Sequence, residues 1–235
     1  MTLPMYEATG DPITRRYTSK EDSQNDHKEN YRSDGYAKGK GTQNSSDAIR
    51  VQWILGNTPE GAYVLDVGCN GGTVSIPLRD LRKCRVKGID LVPELVELAK
   101  GRGVFAEQGE AEDLSRFDDE TFDVVICSEV LEHLYDPIPA VKEAYRVLKK
   151  GGKYLVTVPN VDGEMCEKGK LGDYHQANFT REMLRNMFIN PFKEKNVKEI
   201  GIPYIDSYIQ TIATSKEEFE RIQKIAQWVA LEATK

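Results

Sequence analysis

The sequence predicts an α/β protein built on a mostly parallel sheet with helices on both faces. Three observations lead there. Strand-like apolar runs alternate with helix-like segments through the middle of the chain. Two of those runs, Val124 to Cys127 and Tyr154 to Val158, are apolar almost throughout, as strands covered on both sides should be. The first run, in "VLDVGCNGGTVSI", ends at an acid and passes through three glycines before a helical pattern resumes.

The elements follow in order. Residues 1–45 are polar, mix both signs of charge and hold few aliphatics, so they are expected to form an arm or lid without a core of its own. From Ser45, a good cap, "SSDAIRVQWILGN" places Ile49, Val51, Trp53 and Ile54 at the spacing of an amphipathic helix entering the main domain, residues 46–215. The strand runs "AYVLDVG", "RVKGID", "FDVVICS" and "KYLVTVP" are each followed by helix-like or loop segments, which implies right-handed crossovers. "EKNVKEIGI" and "SYIQTIATS" lie too close together for a crossover helix and are expected to pair as an antiparallel hairpin at the sheet edge. The tail, residues 216–235, carries Phe219, Ile222, Ile225, Ala226 and Val229 at helical spacing, which predicts a terminal helix packed on the domain or on a second subunit. The oligomer is expected to be a monomer or a homodimer.

At 235 residues the chain is long enough to bury one substantial core. Its formal net charge of −6 gives no overall field for a polyanion, so no nucleic-acid partner is expected. No apolar run approaches a bilayer span, "MTLPMYEATGDPITRRY" lacks a hydrophobic signal segment, and the four cysteines form no CxxC pair. These features read as a cytoplasmic protein with reduced thiols and no zinc site.

The glycine loop sits where an open parallel sheet binds ligands, beyond the carboxyl end of its first strand. A glycine-rich turn there lets a ligand touch bare backbone, although it also serves simply to pack a strand against a helix. Asp66 stands two residues before Gly68, and the spacing Gly68, Gly71, Gly72 is neither the GxGxxG of a dinucleotide site nor a P-loop. A carboxylate at that place suits a cationic or amine-bearing ligand better than a diphosphate. Asp90 ends the second strand about 20 residues further on, where an acid can accept both hydroxyls of a ribose; the alternative is that it only begins a turn. Glu110, Glu112 and Asp113 follow the third strand, and one of them could accept from an adenine amino group, or all could be solvated. The ligand so outlined has an adenosine and a cationic, amino-bearing tail.

At this point the residues resemble the class I S-adenosylmethionine-dependent methyltransferases, in particular the small-molecule, ubiquinone-biosynthesis-like group (methyltransferase types 11 and 12). "VLDVGCNGG", "GIDLVPELVELAK", "QGEAEDL", "FDVVICSEVLEHLYDP" and "VLKKGGKYLVTVPN" look like that family's five ordered motifs, over roughly Val64 to Asn160. The resemblance implies a Rossmann-like, seven-stranded, mostly parallel sheet with an antiparallel C-terminal pair. It also implies S-adenosyl-L-methionine as cofactor and S-adenosyl-L-homocysteine as product. Asp66 and the turn Gly68, Cys69, Asn70, Gly71 and Gly72 would hold the methionine moiety, Asp90 the ribose, Leu91 the adenine face, and Glu110 with Ala111 the adenine edge. Cys127, Ser128 and Glu129 would lie beneath the methionine end. Asn70 occupies the middle glycine position of the usual motif and should preserve the turn, because asparagine tolerates left-handed backbone. Glu110 stands where the family usually has Asp.

Methyl transfer from a sulfonium is an in-line displacement, in which orientation can supply roughly 7 to 11 kcal/mol. A general base typically adds about 10²- to 10⁴-fold. His133 and His175 are the candidate bases, each with a structural hydrogen bond as its alternative role. Tyr31 and Tyr36 are candidates to close over the cofactor from the arm. No metal site is expected, since Glu129 lacks a second acid at useful spacing. The chain lacks the Asn-Pro-Pro-aromatic motif of amino-type base methyltransferases and the Pro-Cys nucleophile of the cytosine-C5 type. The leading reading is O-methylation of a small hydroxylated metabolite, sugar or lipid-linked precursor, with a pocket wall formed by residues 160–179. A methyltransferase acting on protein or RNA and a non-catalytic adenosyl-binding protein are the alternatives.

Overall fold

The computed structural model describes residues 19–33, 45–159, 179, 181–203 and 226–235. A seven-stranded sheet runs through it in the order β3-β2-β1-β4-β5-β7-β6. The parallel part is β1 (Tyr63–Val67), β2 (Arg85–Asp90), β3 (Phe105–Gln108), β4 (Phe122–Ser128) and β5 (Leu148–Pro159). β7 (Ala226–Thr234) runs antiparallel between β5 and the edge strand β6 (Val197–Pro203). The predicted mixed, mostly parallel sheet with an antiparallel C-terminal pair is therefore present.

Alternate residues of the central strands feed opposite faces. Leu65, Val125 and Val156 pack under α5 (Ile138–Val147) and α6 (Arg181–Phe192), where Tyr154, Phe188 and Phe192 stack. Val64, Val124, Ile126 and Leu155 pack under α2 (Ser45–Asn57) and α3 (Ser75–Arg82), with Ile54 and Leu78 fully buried. α4 (Pro93–Gly101) covers β2 and β3. Among the described residues no helix is long and apolar enough to cross a membrane.

One expectation needs correction. The C-terminal helix predicted over residues 216–235 is not formed at Ala226–Thr234, which is β7. Its alternation decides the matter: Val229, Leu231 and Ala233 enter the core on one face, while Ala230 packs with Ile49 and Trp53 on the other. A slot between two strands offers backbone partners on both edges, and that overrides the helical propensity of an Ala- and Glu-containing segment. The antiparallel partner of β6 is this strand, whereas the proposed hairpin partner, residues 207–215, lies outside the described residues.

Part of the arm takes a regular form. Lys20–Ser33 forms a helix, α1. Ser19 caps it: its Oγ accepts the Asp22 N–H at 3.1 Å and donates to Asp22 Oδ2 at 2.7 Å. The first of these bonds is an N-cap, which satisfies one of the otherwise unpaired amides of the helix's first turn.

Candidate functional site

The strand order reverses between β1 and β4, so a crevice opens beyond their carboxyl ends, and most of the candidate residues converge there. Asp66 lies buried on β1 and accepts the Ser75 hydroxyl at 2.5 Å. Burial raises its carboxyl to about 6; the Ser75 hydrogen bond and the Arg50 charge oppose that rise, and Asp90 adds to it.

The turn that follows is held by its own amides. Gly68 and Cys69 both donate to the Ile89 carbonyl, at 2.8 and 2.9 Å. Asn70 donates to Asp90 Oδ2 at 2.8 Å, Gly71 to the side-chain oxygen of Asn70 at 2.5 Å, and Gly72 to the Cys69 carbonyl at 2.9 Å. Gly68 and Gly72 have φ of 73° and 93°, and Asn70 takes the left-handed conformation at 49°, as expected of the asparagine in that position. A Cβ at Gly68 would run into Val130.

Every N–H from residue 68 to residue 72 is thus spent inside the protein. A phosphate-binding turn works by aiming free N–H groups at its ligand. Its carbonyls at residues 69–72 already accept from Gly72, Cys69 Sγ, Arg102 and Ile76, but a carbonyl oxygen has a second lone pair, which suits an ammonium or another donor.

Asp90, at the end of β2, binds the turn to its neighbour: Oδ2 takes the Asn70 N–H and Oδ1 the Val92 N–H at 2.9 Å. Each carboxylate oxygen keeps a lone pair for a further donor. Leu91 is half-buried beside it. Across the crevice Glu110 and Ala111 are half-buried in the loop after β3, and Glu110 is ion-paired with Lys20 of α1 at 2.8 Å.

Cys127 and Ser128 close β4 and form the floor. Burial pushes the Cys127 thiol up to about 12, so it is no nucleophile near neutral pH. Ser128 Oγ accepts from Arg50 and lies 2.8 Å from the Thr157 hydroxyl. Glu129 follows at φ 58° with its N–H on the Thr157 carbonyl at 2.9 Å. A non-glycine residue held there is a strained position, of the kind found at ligand sites. Glu132 is buried, and burial together with Glu129 pushes its carboxyl well above the usual range, against the pull of Arg50.

His133 ends the short 3₁₀ turn Leu131–His133 above the floor, with Nε2 3.9 Å from Glu132 Oε1. Its ring meets His27 of α1 at 5.0 Å between centroids and Tyr31 at 6.2 Å. His175 and Tyr36 lie outside the described residues. Among those described, no group of three or more His, Cys, Asp or Glu is placed to hold a metal.

Sequence reasoning missed Arg50, Lys20 and His27. Arg50 had a signal: it lies one helical turn before Ile54, so a cation stands on the face of α2 that enters the core. Lys20 and His27 had only the capping pattern of Ser19 to Asp22 to mark their helix.

Residues 65–156 match the family model for a methyltransferase domain. Among curated proteins, it is 39% identical over 119 residues to the ubiquinone biosynthesis O-methyltransferase of Pseudomonas savastanoi pv. phaseolicola, covering 48% of this chain and 51% of the relative. The enzyme of the same name from Xanthomonas axonopodis pv. citri is 37% identical over 119 residues, covering 48% and 49%. The chain thus spans about half the length of the curated relatives it matches. Among solved structures, a methyltransferase from Thermotoga maritima described as a possible histamine N-methyltransferase superposes with TM-score 0.64 over 92% of this chain and 98% of the other, at 21% identity. Phosphoethanolamine N-methyltransferase 2 of Haemonchus contortus, solved with S-adenosyl-L-methionine, superposes with TM-score 0.60 over 83% and 53%, at 17% identity. These likenesses establish the fold.

Proposed function

We propose that the chain is an S-adenosyl-L-methionine-dependent methyltransferase that acts on a small-molecule acceptor in the cytoplasm, by O-methylation of a hydroxylated metabolite, sugar or lipid-linked precursor. The observation that carries the cofactor reading is the turn at residues 68–72, whose amides are all donated internally. Such a turn favours an amino-bearing tail and disfavours a diphosphate. The acceptor reading draws on the −6 net charge, on the missing base-methylation motifs and on the name of the curated relatives.

The residues divide the work by position. Asp66 and the backbone of Gly68, Cys69, Asn70, Gly71 and Gly72 face the ammonium and carboxylate end, Asp90 accepts the ribose hydroxyls, Leu91 flanks the adenine, and Glu110 with Ala111 meets its edge. Cys127, Ser128 and Glu129 support the reacting end from below. When bound, the cofactor supplies an electrophilic methyl group on sulfur. The protein's task is to hold the acceptor oxygen in line with it, which is worth roughly 7 to 11 kcal/mol. His133, over that end of the crevice, takes the acceptor proton on its imidazole, and His175 is the second candidate for that role.

Calorimetric titration of the purified chain with S-adenosyl-L-methionine and S-adenosyl-L-homocysteine, with NAD as control, tests this reading. Saturable binding of the first two and silence toward NAD is the expected result. Binding of NAD, or of none of the three by folded protein, overturns it.

A further inference from the structure

One face of α1 holds four polar side chains in a stripe: Lys20, Gln24, His27 and Tyr31 follow the spacing i, i+4, i+7, i+11. The stripe crosses the crevice. At its start, Lys20 Nζ lies 2.8 Å from Glu110 Oε2 and 3.3 Å from Glu112 Oε2, and Gln24 hydrogen-bonds the same Glu110. At its end, about 16 Å along the helix axis, His27 and Tyr31 pack on each other at 4.3 Å and against His133.

The two anchors differ in chemistry. The Glu112 side chain is 7% exposed, so its carboxylate needs a cation, and Lys20 reaches it from α1. His27 inserts an imidazole whose Nδ1 is buried and, among the described residues, meets no hydrogen-bond partner. Burial lowers that imidazole to about 4, against the pull of Asp26; Tyr31 on its own helix and His133 beside Glu132 on the opposing turn are the other groups around it. A neutral His27 is therefore a mark of the docked helix.

We propose that Lys20 is a positioning residue of the cofactor pocket: by gripping Glu110 and Glu112 it latches α1 over the crevice, so that one helix closes both the adenine end and the His133 side. This rests on the cofactor reading above, which gives Glu110 the adenine edge. The latch makes cofactor affinity depend on a residue that never touches the reacting atoms, and it makes His27 a wall of the acceptor chamber only while Lys20 holds.

The experiment uses S-adenosyl-L-homocysteine as probe, with Lys20→Gln, Lys20→Glu and the charge swap Lys20→Glu with Glu112→Lys. Lys20 is 41% exposed, so these changes leave the fold intact. Two readouts are taken, calorimetric affinity for the probe and the NMR titration of the His27 ring. Loss of a half-exposed pair weakens the probe about two- to fivefold in Lys20→Gln. Reversal of charge weakens it further in Lys20→Glu, and the swap restores it. In parallel the His27 midpoint rises in Lys20→Glu from about 4 toward the ordinary value near about 6.5, and returns in the swap. Unchanged affinity with an unmoved His27 overturns the latch while leaving the cofactor reading standing. A wild-type chain that ignores the probe while His27 still responds to Lys20 overturns the cofactor reading and leaves the latch.

Discussion

His27 and His133 face each other with ring centroids 5.0 Å apart and planes tilted by 60°. One comes from the polar arm and the other from the turn after β4, so this side of the crevice is assembled from two segments far apart along the chain. Burial lowers the His27 imidazole to about 4, so that ring meets His133 as a neutral group near neutral pH.

His133→Ala is therefore expected to lower turnover by about 10²- to 10⁴-fold at nearly constant affinity for S-adenosyl-L-homocysteine, the signature of a lost base. Steady-state kinetics with any acceptor that turns over, paired with calorimetry, reads both quantities. Full activity in the variant removes His133 from the proton transfer and passes the role to His175.

Asp90 does two things at once, since it holds the glycine turn through Asn70 and the start of α4 through Val92. Hydrogen bonds to a charged group contribute about 1.5 to 3 kcal/mol each. Asp90→Ala should weaken S-adenosyl-L-homocysteine by at least about tenfold, and Asp90→Asn, which keeps one acceptor oxygen, by less. Calorimetry that finds the alanine variant as tight as wild type would sink the ribose assignment.

Asp66 should cost stability in exchange for its place in the site. Its carboxyl is raised by burial to about 6 from an unfolded value of 3.8, so the folded chain binds that proton more tightly. Stability linked to this group is therefore full below the unfolded value and falls as pH rises through the folded one. The gap amounts to about 3 kcal/mol at most. Asp66→Asn, whose amide oxygen can still accept the Ser75 hydroxyl, is expected to unfold at higher urea than wild type near about pH 8, by about 1 to 3 kcal/mol, and to converge with it near about pH 4. Cofactor affinity should move the other way, because an amide is a poorer partner for an ammonium. Equal stability of the two proteins at the higher pH would refute the burial cost.

The site was legible where its chemistry is local. Asp66, the glycines and Asn70 lie within seven residues, and the left-handed backbone of Asn70 follows from what asparagine tolerates. Asp90 was legible because strand ends and turns carry a spacing. Arg50 was harder, since what it touches, Ser128, lies on β4, and only the packing of α2 over the sheet brings them together. Lys20 and His27 were harder still, as their helix has no apolar stripe and docks through polar contacts with the loops after β3 and β4.

The fold class, the order of strand, glycine turn and helix, and the acid at each of two strand ends were determined by the sequence itself, because periodicity and turn chemistry act between near neighbours. The tertiary structure alone decided that Ala226–Thr234 would be a strand. There Glu232, buried in β7, is met by Lys153 of β5 at 3.3 Å and Lys198 of β6 at 3.4 Å, partners that no local pattern announces. It also decided that a polar arm would become the helix that roofs the crevice. In both cases the deciding free energy lies in contacts between residues far apart along the chain, and a segment of marginal local preference takes whichever form those contacts reward.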